Sequence, residues 1–157
     1  MKFSTKEDVE VPAEKVFDFL SDFTAFERAA VRRGAEVTRV DRIAEVGPGL
    51  TWSVRFPMRG KMRRLLCELD RFDRPAALNV NAESTGFNMV LSVGLVALSP
   101  KRTRLTVDAE IKPRTLAARL MLQSVRLNKA GFSRRFEARV QKFAADVELR
   151  HLGHGVS

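Results

Sequence analysis

The sequence predicts an α+β fold in which one antiparallel sheet packs against a long C-terminal helix. Three observations favour it: an alternating first strand, period-two segments over residues 35–112, and a proline-free segment with helical periodicity over 114–150. The chain has 157 residues and is 45% hydrophobic, enough to bury about two-thirds of its unfolded surface in one core. We therefore expect one domain over residues 1–150 and a polar, disordered tail over 151–157.

The start of the chain predicts one strand followed by two short helices. Alternation gives the strand an inward face formed by Phe3, Thr5, Glu7, Val9 and Val11. The segment VPAEKVFDFLSD has the proline and acidic residue typical of a first helical turn, and its apolar face consists of Val16, Phe17 and Leu20. Thr24 and Glu27 have the spacing of a capping box, which predicts a second helix ending near Gly34.

Short turns containing glycine or proline divide the next part of the chain into about six strands. These strands are predicted at 35–44, 50–56, 61–72, 77–84, 87–98 and 104–112. Because short turns join antiparallel neighbours, the strands form one curved sheet with one buried face. The register of residues 61–72 is ambiguous around Phe72.

The stretch GPGLTWSVRF, residues 47–56, resembles a phosphate-binding loop only in its glycines. A phosphate loop needs a helix directly after it, and no helix pattern follows Gly49. The lysine and the serine or threonine of that motif are missing as well. We expect a hairpin turn, with Trp52 on the buried face of the strand that follows.

The segment 114–150 predicts a long helix whose apolar stripe faces the sheet. The stripe consists of Ala118, Met121, Leu122, Val125, Phe132, Phe136, Val140, Phe143 and Val147. Asn128 and Gly131 are weak helix formers at the point where the pattern changes. We therefore expect a bend or break near 128–131.

Three leucines of the same segment, Leu116, Leu120 and Leu127, lie about 170° from the stripe. Something other than the sheet must cover them. The two short helices could bury them. Alternatively, the segment 115–127 is a lid at a cavity mouth, a dimer contact, or a basic membrane-surface patch with three arginines, Arg114, Arg119 and Arg126.

The charge is unevenly distributed along the chain. There are 28 Lys and Arg residues against 19 Asp and Glu, a formal net charge of +9, although residues 1–31 alone hold 4 basic and 7 acidic groups. The excess permits an anionic partner, such as nucleic acid, a lipid headgroup or an acidic ligand, or it is a solvated surface. No apolar window reaches membrane-spanning length and no signal-peptide pattern opens the chain, so we expect a cytoplasmic protein.

Few residues are candidates for chemistry. His151 and His154 would need a third ligand to bind a metal, and apolar neighbours make Cys67 an inert core residue, so we expect no metal and no cofactor. The chain has no tyrosine and no nucleophile-elbow pattern. Glu7 is the one weak catalytic candidate, because a carboxylate on an apolar face must be paired, hydrogen-bonded or protonated. Otherwise it reaches solvent or pairs with an arginine such as Arg64 or Arg71.

Taken in order, five segments resemble the START-like or SRPBCC superfamily, the pollen-allergen-type helix-grip fold that includes polyketide cyclase/dehydrase-like and lipid-binding proteins. They are VPAEKVFDFLSD, GPGLTWSVRF, LDRFDRPAAL, LSPKRTRLTV and RRFEARVQKFAADVELR. The resemblance covers nearly the whole chain. It implies a sheet wrapped around the long helix, with an apolar cavity between them whose mouth lies near the two short helices and the hairpin loops.

The aromatic residues of this chain could fill a solid core, but the resemblance favours a cavity lined by apolar side chains. The ligand-binding candidates are Trp52, Val54, Phe56, Leu65, Cys67, Phe87, Met89, Leu91, Phe132 and Phe136. The function expected is binding or carrying a hydrophobic small molecule, such as a lipid, quinone or polyketide-like compound, by a monomer or homodimer.

Two other functions stay open. A cyclase or dehydrase acting on such a ligand is the first, with Glu7 or an inward arginine guiding proton transfer. Nucleic-acid binding ranks third: the basic stretches RGKMRR and KRTR lie beside hairpin turns, and no RNA-binding aromatic signature accompanies them.

Overall fold

A curved, seven-stranded antiparallel sheet and four helices form the fold, which confirms the predicted class. The structure, a computed structural model, describes residues 1–156 and the side chains of residues 1–153. In chain order the elements are β1 Lys2–Val9, α1 Ala13–Leu20, α2 Phe23–Arg32, β2 Glu36–Arg39, β3 Thr51–Met58, β4 Lys61–Asp73, β5 Ala77–Glu83, β6 Phe87–Ser99, β7 Arg102–Pro113, α3 Leu116–Leu127 and α4 Lys129–Val156.

The sheet has the strand order β1-β7-β6-β5-β4-β3-β2, so each of β2 to β7 pairs with the strand next to it in sequence. The first strand instead pairs with the last one, which brings Phe3 opposite Ala109. This pairing carries the two short helices across one end of the sheet. The apolar face predicted for α1 is confirmed, because Val16, Phe17 and Leu20 are all buried.

The second helix begins differently from the prediction. Asp22, not Thr24, caps α2: its carboxylate accepts a hydrogen bond from the Ala25 amide at 3.2 Å. The capping-box interpretation is therefore wrong. Glu27 has another partner, because its carboxylate accepts a hydrogen bond of 2.6 Å from the Trp52 indole N–H.

The predicted strand 35–44 is shorter in the structure, where β2 ends at Arg39. Asp41 explains the early end. Its carboxylate accepts hydrogen bonds from the amides of Ile43 at 2.9 Å and Thr51 at 2.7 Å, and it pairs with both Nε and Nη2 of Arg39. A side chain that binds neighbouring amides offers the backbone an alternative to the sheet ladder.

The predicted hairpin turn between β3 and β4 is confirmed at Arg59 and Gly60, which have φ angles of 52° and 76°. The ambiguous register of 61–72 has a clear cause, an irregularity in the β4–β5 ladder between Leu69 and Arg71. The shift lets Phe72 face inward as Leu69 does, and its ring lies 5.1 Å from that of Phe17.

The predicted break in the C-terminal helix is confirmed. Asn128 separates α3 from α4, with φ −128° and ψ 37°. Its side chain fills the space beside Gly131, where an added Cβ would lie 2.7 Å from the Asn128 Oδ1. Beyond the break, α4 continues to Val156, past the end that the sequence predicts at residue 150. The predicted tail over 151–157 falls partly on this helix, and Ser157 lies outside the described residues.

The helices cover the sheet unevenly. α4 packs mainly along β1, where Phe136 contacts Phe3 with ring centroids 6.1 Å apart, and α3 packs on β7 and α4. The interpretation that the short helices bury the leucines of α3 is wrong, since Leu116, Leu120 and Leu127 are 73%, 56% and 91% exposed.

Candidate ligand site on the inner face of the sheet

The inner face of the sheet, which packs against the helices, can be followed in rows, because residues paired across an antiparallel ladder point to the same side. One continuous row crosses five strands through Trp52, Cys67, Ala82, Met89 and Ile111. The next row toward the β3–β4 hairpin contains Val54 and Leu65 on one side and Phe87 and Pro113 on the other. Beyond that row, Phe56 pairs with Arg63 and then Met58 with Lys61 at the hairpin.

Burial changes along this face. Toward the end near α1 the inner face includes fully buried residues, such as Val9, Leu69 and Leu105, each with no exposed surface. At the other end five apolar side chains are only half-buried and lie outside the buried core cluster. We call this group the open end; it consists of Phe56, Leu65, Phe87, Met89 and Ile111. The inner face is thus packed at one end and accessible at the other.

Four of the ten predicted ligand-binding residues, Phe56, Leu65, Phe87 and Met89, belong to the open end. Four more, Val54, Cys67, Leu91 and Phe136, are half-buried and pack against the core cluster. The structure therefore separates the predicted set into a packed part and an accessible part.

Trp52 and Phe132 complete the predicted set and lie in different surroundings. Trp52 is 7% exposed and confirmed as inward-facing; its ring lies 5.2 Å from that of Phe23, and the Arg39 guanidinium lies 5.7 Å from it. Phe132 is 37% exposed, with the Arg135 guanidinium 5.1 Å from its ring. Trp52 therefore belongs to the core, and Phe132 to the surface of α4.

Two concavities on the described part of the molecule lie outside the space expected between sheet and helix. One, of about 390 Å³, lies between α2 and β2 and is lined by Glu27, Val31 and Val37 among others. The other, of about 350 Å³, involves β4, β5 and β6 and is lined mostly by outward-facing residues such as Leu66, Asn81 and Val90.

A cation lies at the edge of the open end. Arg63 pairs with Phe56 in the β3–β4 ladder, so its half-buried side chain shares the inner face, and its Nε donates to the Met58 carbonyl at 3.4 Å. Arg63 is not among the predicted site residues, although the alternation that places Leu65 and Cys67 inward also places it there. Arg63 is the group here that can bind the anionic end of an otherwise apolar molecule.

Glu7, the weak catalytic candidate, lies far from the open end. It pairs with Leu105 in the β1–β7 ladder, six residues along β7 from Ile111, a distance of about 20 Å. Buried side chains such as Leu69 and Val93 fill the inner face between them. Glu7 is half-buried and makes no side-chain hydrogen bond or ion pair with the described residues.

The two arginines suggested as partners of Glu7 are engaged elsewhere. The Arg64 Nε donates to the Ser53 Oγ at 3.0 Å, and Arg71 pairs with Asp73 at 2.5 Å. Both side chains are exposed, away from the inner face. Pairing of Glu7 with either arginine is therefore wrong.

Cys67 and the histidines offer little chemistry. Burial raises the pKa of the Cys67 thiol, which keeps it protonated and unreactive, as predicted from its apolar neighbours. Within the described residues no three His, Cys, Asp or Glu side chains lie close enough to hold a metal ion. The side chain of His154 is outside the described set. No helix in the described chain is both long and apolar enough to cross a membrane.

Solved structures with similar folds place this architecture in a well-populated group. Protein TTHA0849 from Thermus thermophilus aligns with a TM-score of 0.66 at 14% identity, covering 94% of this chain and 97% of that one. The Zhui aromatase/cyclase from Streptomyces sp. R1128 aligns with a TM-score of 0.65 at 16% identity, covering 96% of this chain and 94% of that one. Ara h 8.0201 aligns with a TM-score of 0.60 at 13% identity, covering 98% of both chains. These identities show a shared fold and no more.

The sequence itself assigns the family. No curated protein sequence matches the chain at a significant level. A family model described as polyketide cyclase / dehydrase and lipid transport matches residues 1–148, nearly the whole of the chain. Together with the helix-grip sheet and its long C-terminal helix, this match shows that the protein belongs to the polyketide cyclase/dehydrase and lipid transport family.

Proposed function

We propose that the protein binds or carries a hydrophobic small molecule, such as a lipid, a quinone or a polyketide-like compound, at the open end of the inner sheet face. One observation supports this most strongly. Five apolar side chains of four strands, Phe56, Leu65, Phe87, Met89 and Ile111, stay half-buried and lie outside the core cluster that the rest of this apolar face packs against. Apolar surface left accessible in this way gains free energy when a ligand covers it, by about 25 cal/mol per Å².

The chemistry of the open end suits an irregular apolar ligand with one polar end. Met89 is flexible and polarizable, so it can adapt to different shapes, and two phenylalanine rings offer flat contact surface. Arg63 at the rim supplies one cation for a carboxylate or phosphate. The ligand would lie between the sheet and the start of α3, since Ala118 of α3 lies beside the β5–β6 turn at Gly86.

Mass spectrometry of gently extracted protein tests the proposal, combined with titration by the neutral fluorophore N-phenyl-1-naphthylamine. We expect either a discrete extra mass that organic extraction removes, or saturable binding of the fluorophore by the extracted protein. Protein that carries no extra mass and shows no saturable binding would overturn the proposal.

A cyclase or dehydrase acting on such a ligand is the second candidate. The family description includes these activities, and Glu7 is a half-buried carboxylate without a side-chain partner among the described residues. Its separation of about 20 Å from the open end argues against direct contact with a ligand bound at Met89. Incubation of the extracted ligand with the protein and with Glu7→Gln decides the matter. Conversion by the wild type alone, with equal binding by both, would favour the enzyme, whereas no conversion favours the carrier.

A further inference from the structure

Helix α3 exposes apolar side chains that no described part of the chain covers. Ala118 and Leu122 are buried against the rest of the molecule, at 4% and 8% exposed. On its other side Leu116, Leu120 and Leu127 are 73%, 56% and 91% exposed. A helix that is apolar on both sides has a second surface to bury.

The charged residues of the segment that carries these leucines are all basic, although Glu83 and Glu110 of the neighbouring strands pair with Arg114 and Lys112. From residue 111 to residue 136 the chain has seven basic residues and no acidic one. Two of the basic residues, Arg119 and Arg126, lie on α3 itself and are exposed. A partner that covers the leucines must therefore tolerate, or bind, a dense group of cations.

The tip of the β3–β4 hairpin also has exposed apolar side chains next to basic residues. Met58 and Met62 are 40% and 48% exposed on either side of the turn, and residues 55–67 contain five basic residues and no acidic one. The hairpin and α3 lie at the same end of the sheet. Leu65 is level with the β5–β6 turn, where the Arg114 amide donates to the Gly86 carbonyl at 2.7 Å just before α3 begins.

These two segments account for the basic character of the whole protein. Together they hold 12 of the 28 Lys and Arg residues and none of the 19 Asp and Glu residues. The remaining chain therefore has 16 basic and 19 acidic residues, and is slightly acidic. The positive charge is concentrated where the exposed leucines and methionines lie, beside the open end.

We propose that this end of the molecule docks on an anionic lipid bilayer, with the leucines of α3 and the methionines of the hairpin inserted at the interface. The basic side chains would bind lipid phosphates and carboxylates, because anionic headgroups attract clustered Lys and Arg. Apolar side chains beside such a cluster are what an interfacial helix inserts between headgroups. Docking of this kind would present the open end to the membrane, and it goes beyond ligand binding.

Positive charge and exposed apolar side chains together favour an anionic membrane over a second copy of the chain or a nucleic acid as the partner. A second copy would bring two strongly positive surfaces together, which repel each other. A nucleic acid would satisfy the cations but would leave the three leucines exposed, since backbone phosphates bind Lys and Arg and not aliphatic side chains. An anionic bilayer matches both the positive charge and the apolar surface.

Flotation with vesicles tests the proposal directly, using phosphatidylcholine vesicles with and without about 30 mol% phosphatidylserine. We expect the protein to float with the phosphatidylserine vesicles at about 0.1 M salt, and binding to fall as the salt is raised. In hydrogen exchange, residues 115–127 should gain protection with these vesicles and not with phosphatidylcholine alone. A Leu116→Gln/Leu120→Gln/Leu127→Gln variant should bind at least about tenfold more weakly.

Matched controls come from the far part of α4, where Leu149 and Leu152 are also exposed, at 67% and 65%. Leu149→Gln/Leu152→Gln should float as the wild type does. An Arg119→Gln/Arg126→Gln variant should lose binding, whereas Arg33→Gln/Arg150→Gln should keep most of it. Failure of the wild type to float, or equal flotation of the two leucine variants, would overturn the proposal. So would a dimer that the α3 leucine variant abolishes, or binding to DNA or RNA that this variant leaves unchanged in place of flotation.

Discussion

Asp41 is the single residue whose ionisation is most strongly tied to the folded structure. Its contacts with Arg39 and with the amides of Thr51 and Ile43 hold the pKa of this carboxyl well below its ordinary 3.8. A carboxyl with a lowered folded-state pKa stabilises the fold above its unfolded pKa, and this contribution disappears as the pH falls through the folded value.

Replacement of Asp41 should therefore have a pH-dependent effect. Asp41→Asn should lower the free energy of unfolding at pH 7, and the difference from the wild type should shrink below about pH 3.8. Urea unfolding of the wild type and the variant at pH 7 and at a pH below about 3.8 measures the two differences in unfolding free energy. Asp70→Asn is the control, because Asp70 is exposed and makes no side-chain hydrogen bond or ion pair with the described residues. A loss for Asp41→Asn that is the same at both pH values would contradict the role of the charge.

Arg63 is the second residue with an individual prediction, and it follows from the proposed ligand site. Arg63→Gln should weaken binding of oleate, an anionic amphiphile, by about fivefold, because a half-exposed ion pair is worth up to about 1 kcal/mol. Binding of N-phenyl-1-naphthylamine should not change, since it carries no charge. The control is Arg64→Gln, one residue along on the outer face. Equal effects of the two variants on oleate would exclude a specific role for Arg63.

At the scale of elements, the β3–β4 turn depends on left-handed backbone. Gly60 has φ 76°, whereas Gly47 has a backbone that other residues adopt, with open space around it. Gly60→Ala should lower the free energy of unfolding by about 1 kcal/mol, because L-residues are strained at positive φ. Gly47→Ala should be neutral or slightly stabilising. Chemical denaturation of the two variants distinguishes them, and equal losses would show that the turn does not need the glycine.

The elements also show how far the sequence predicts the fold. Alternation predicts most strands to within a few residues, because side chains on a sheet repeat every two residues whatever they contact. The helix break near Asn128 follows from local propensity in the same way. The errors come from side chains that bind backbone groups: Asp22 competes with Thr24 as a cap, and Asp41 ends β2 early. Such competition depends on geometry that periodicity does not contain.

The site was harder to predict than the fold. Facing direction was predictable, and inward-facing residues such as Met89 and Leu91 share a strand and a pattern. The accessibility of these side chains was not predictable, because it depends on where α3 and α4 lie over the sheet. Leu91 packs against the core and Met89 does not. The exposure of the α3 leucines could not be predicted for the same reason, because no sequence pattern indicates that the short helices pack elsewhere.

The whole molecule is polarised from one end of the sheet to the other. One end holds the buried core, with Val9, Leu69 and Leu105 completely enclosed. The other holds half-buried apolar residues, exposed leucines and all of the excess positive charge. The fully buried contacts that stabilise the fold are thus concentrated at one end, and we propose that the other end is available to partners. We propose that an apolar ligand binds to the inner face at this accessible end.

Two neighbouring residues on β6 provide the most direct measurement. Met89 faces inward at the open end, and Val90 next to it faces outward with 39% exposure. Titration of wild type, Met89→Gln and Val90→Gln with N-phenyl-1-naphthylamine compares the two faces of one strand. We predict about tenfold weaker binding for Met89→Gln, because a polar amide in an apolar site loses hydrogen bonds to water, and unchanged binding for Val90→Gln. Unchanged binding for Met89→Gln, or a loss for Val90→Gln alone, would contradict the account.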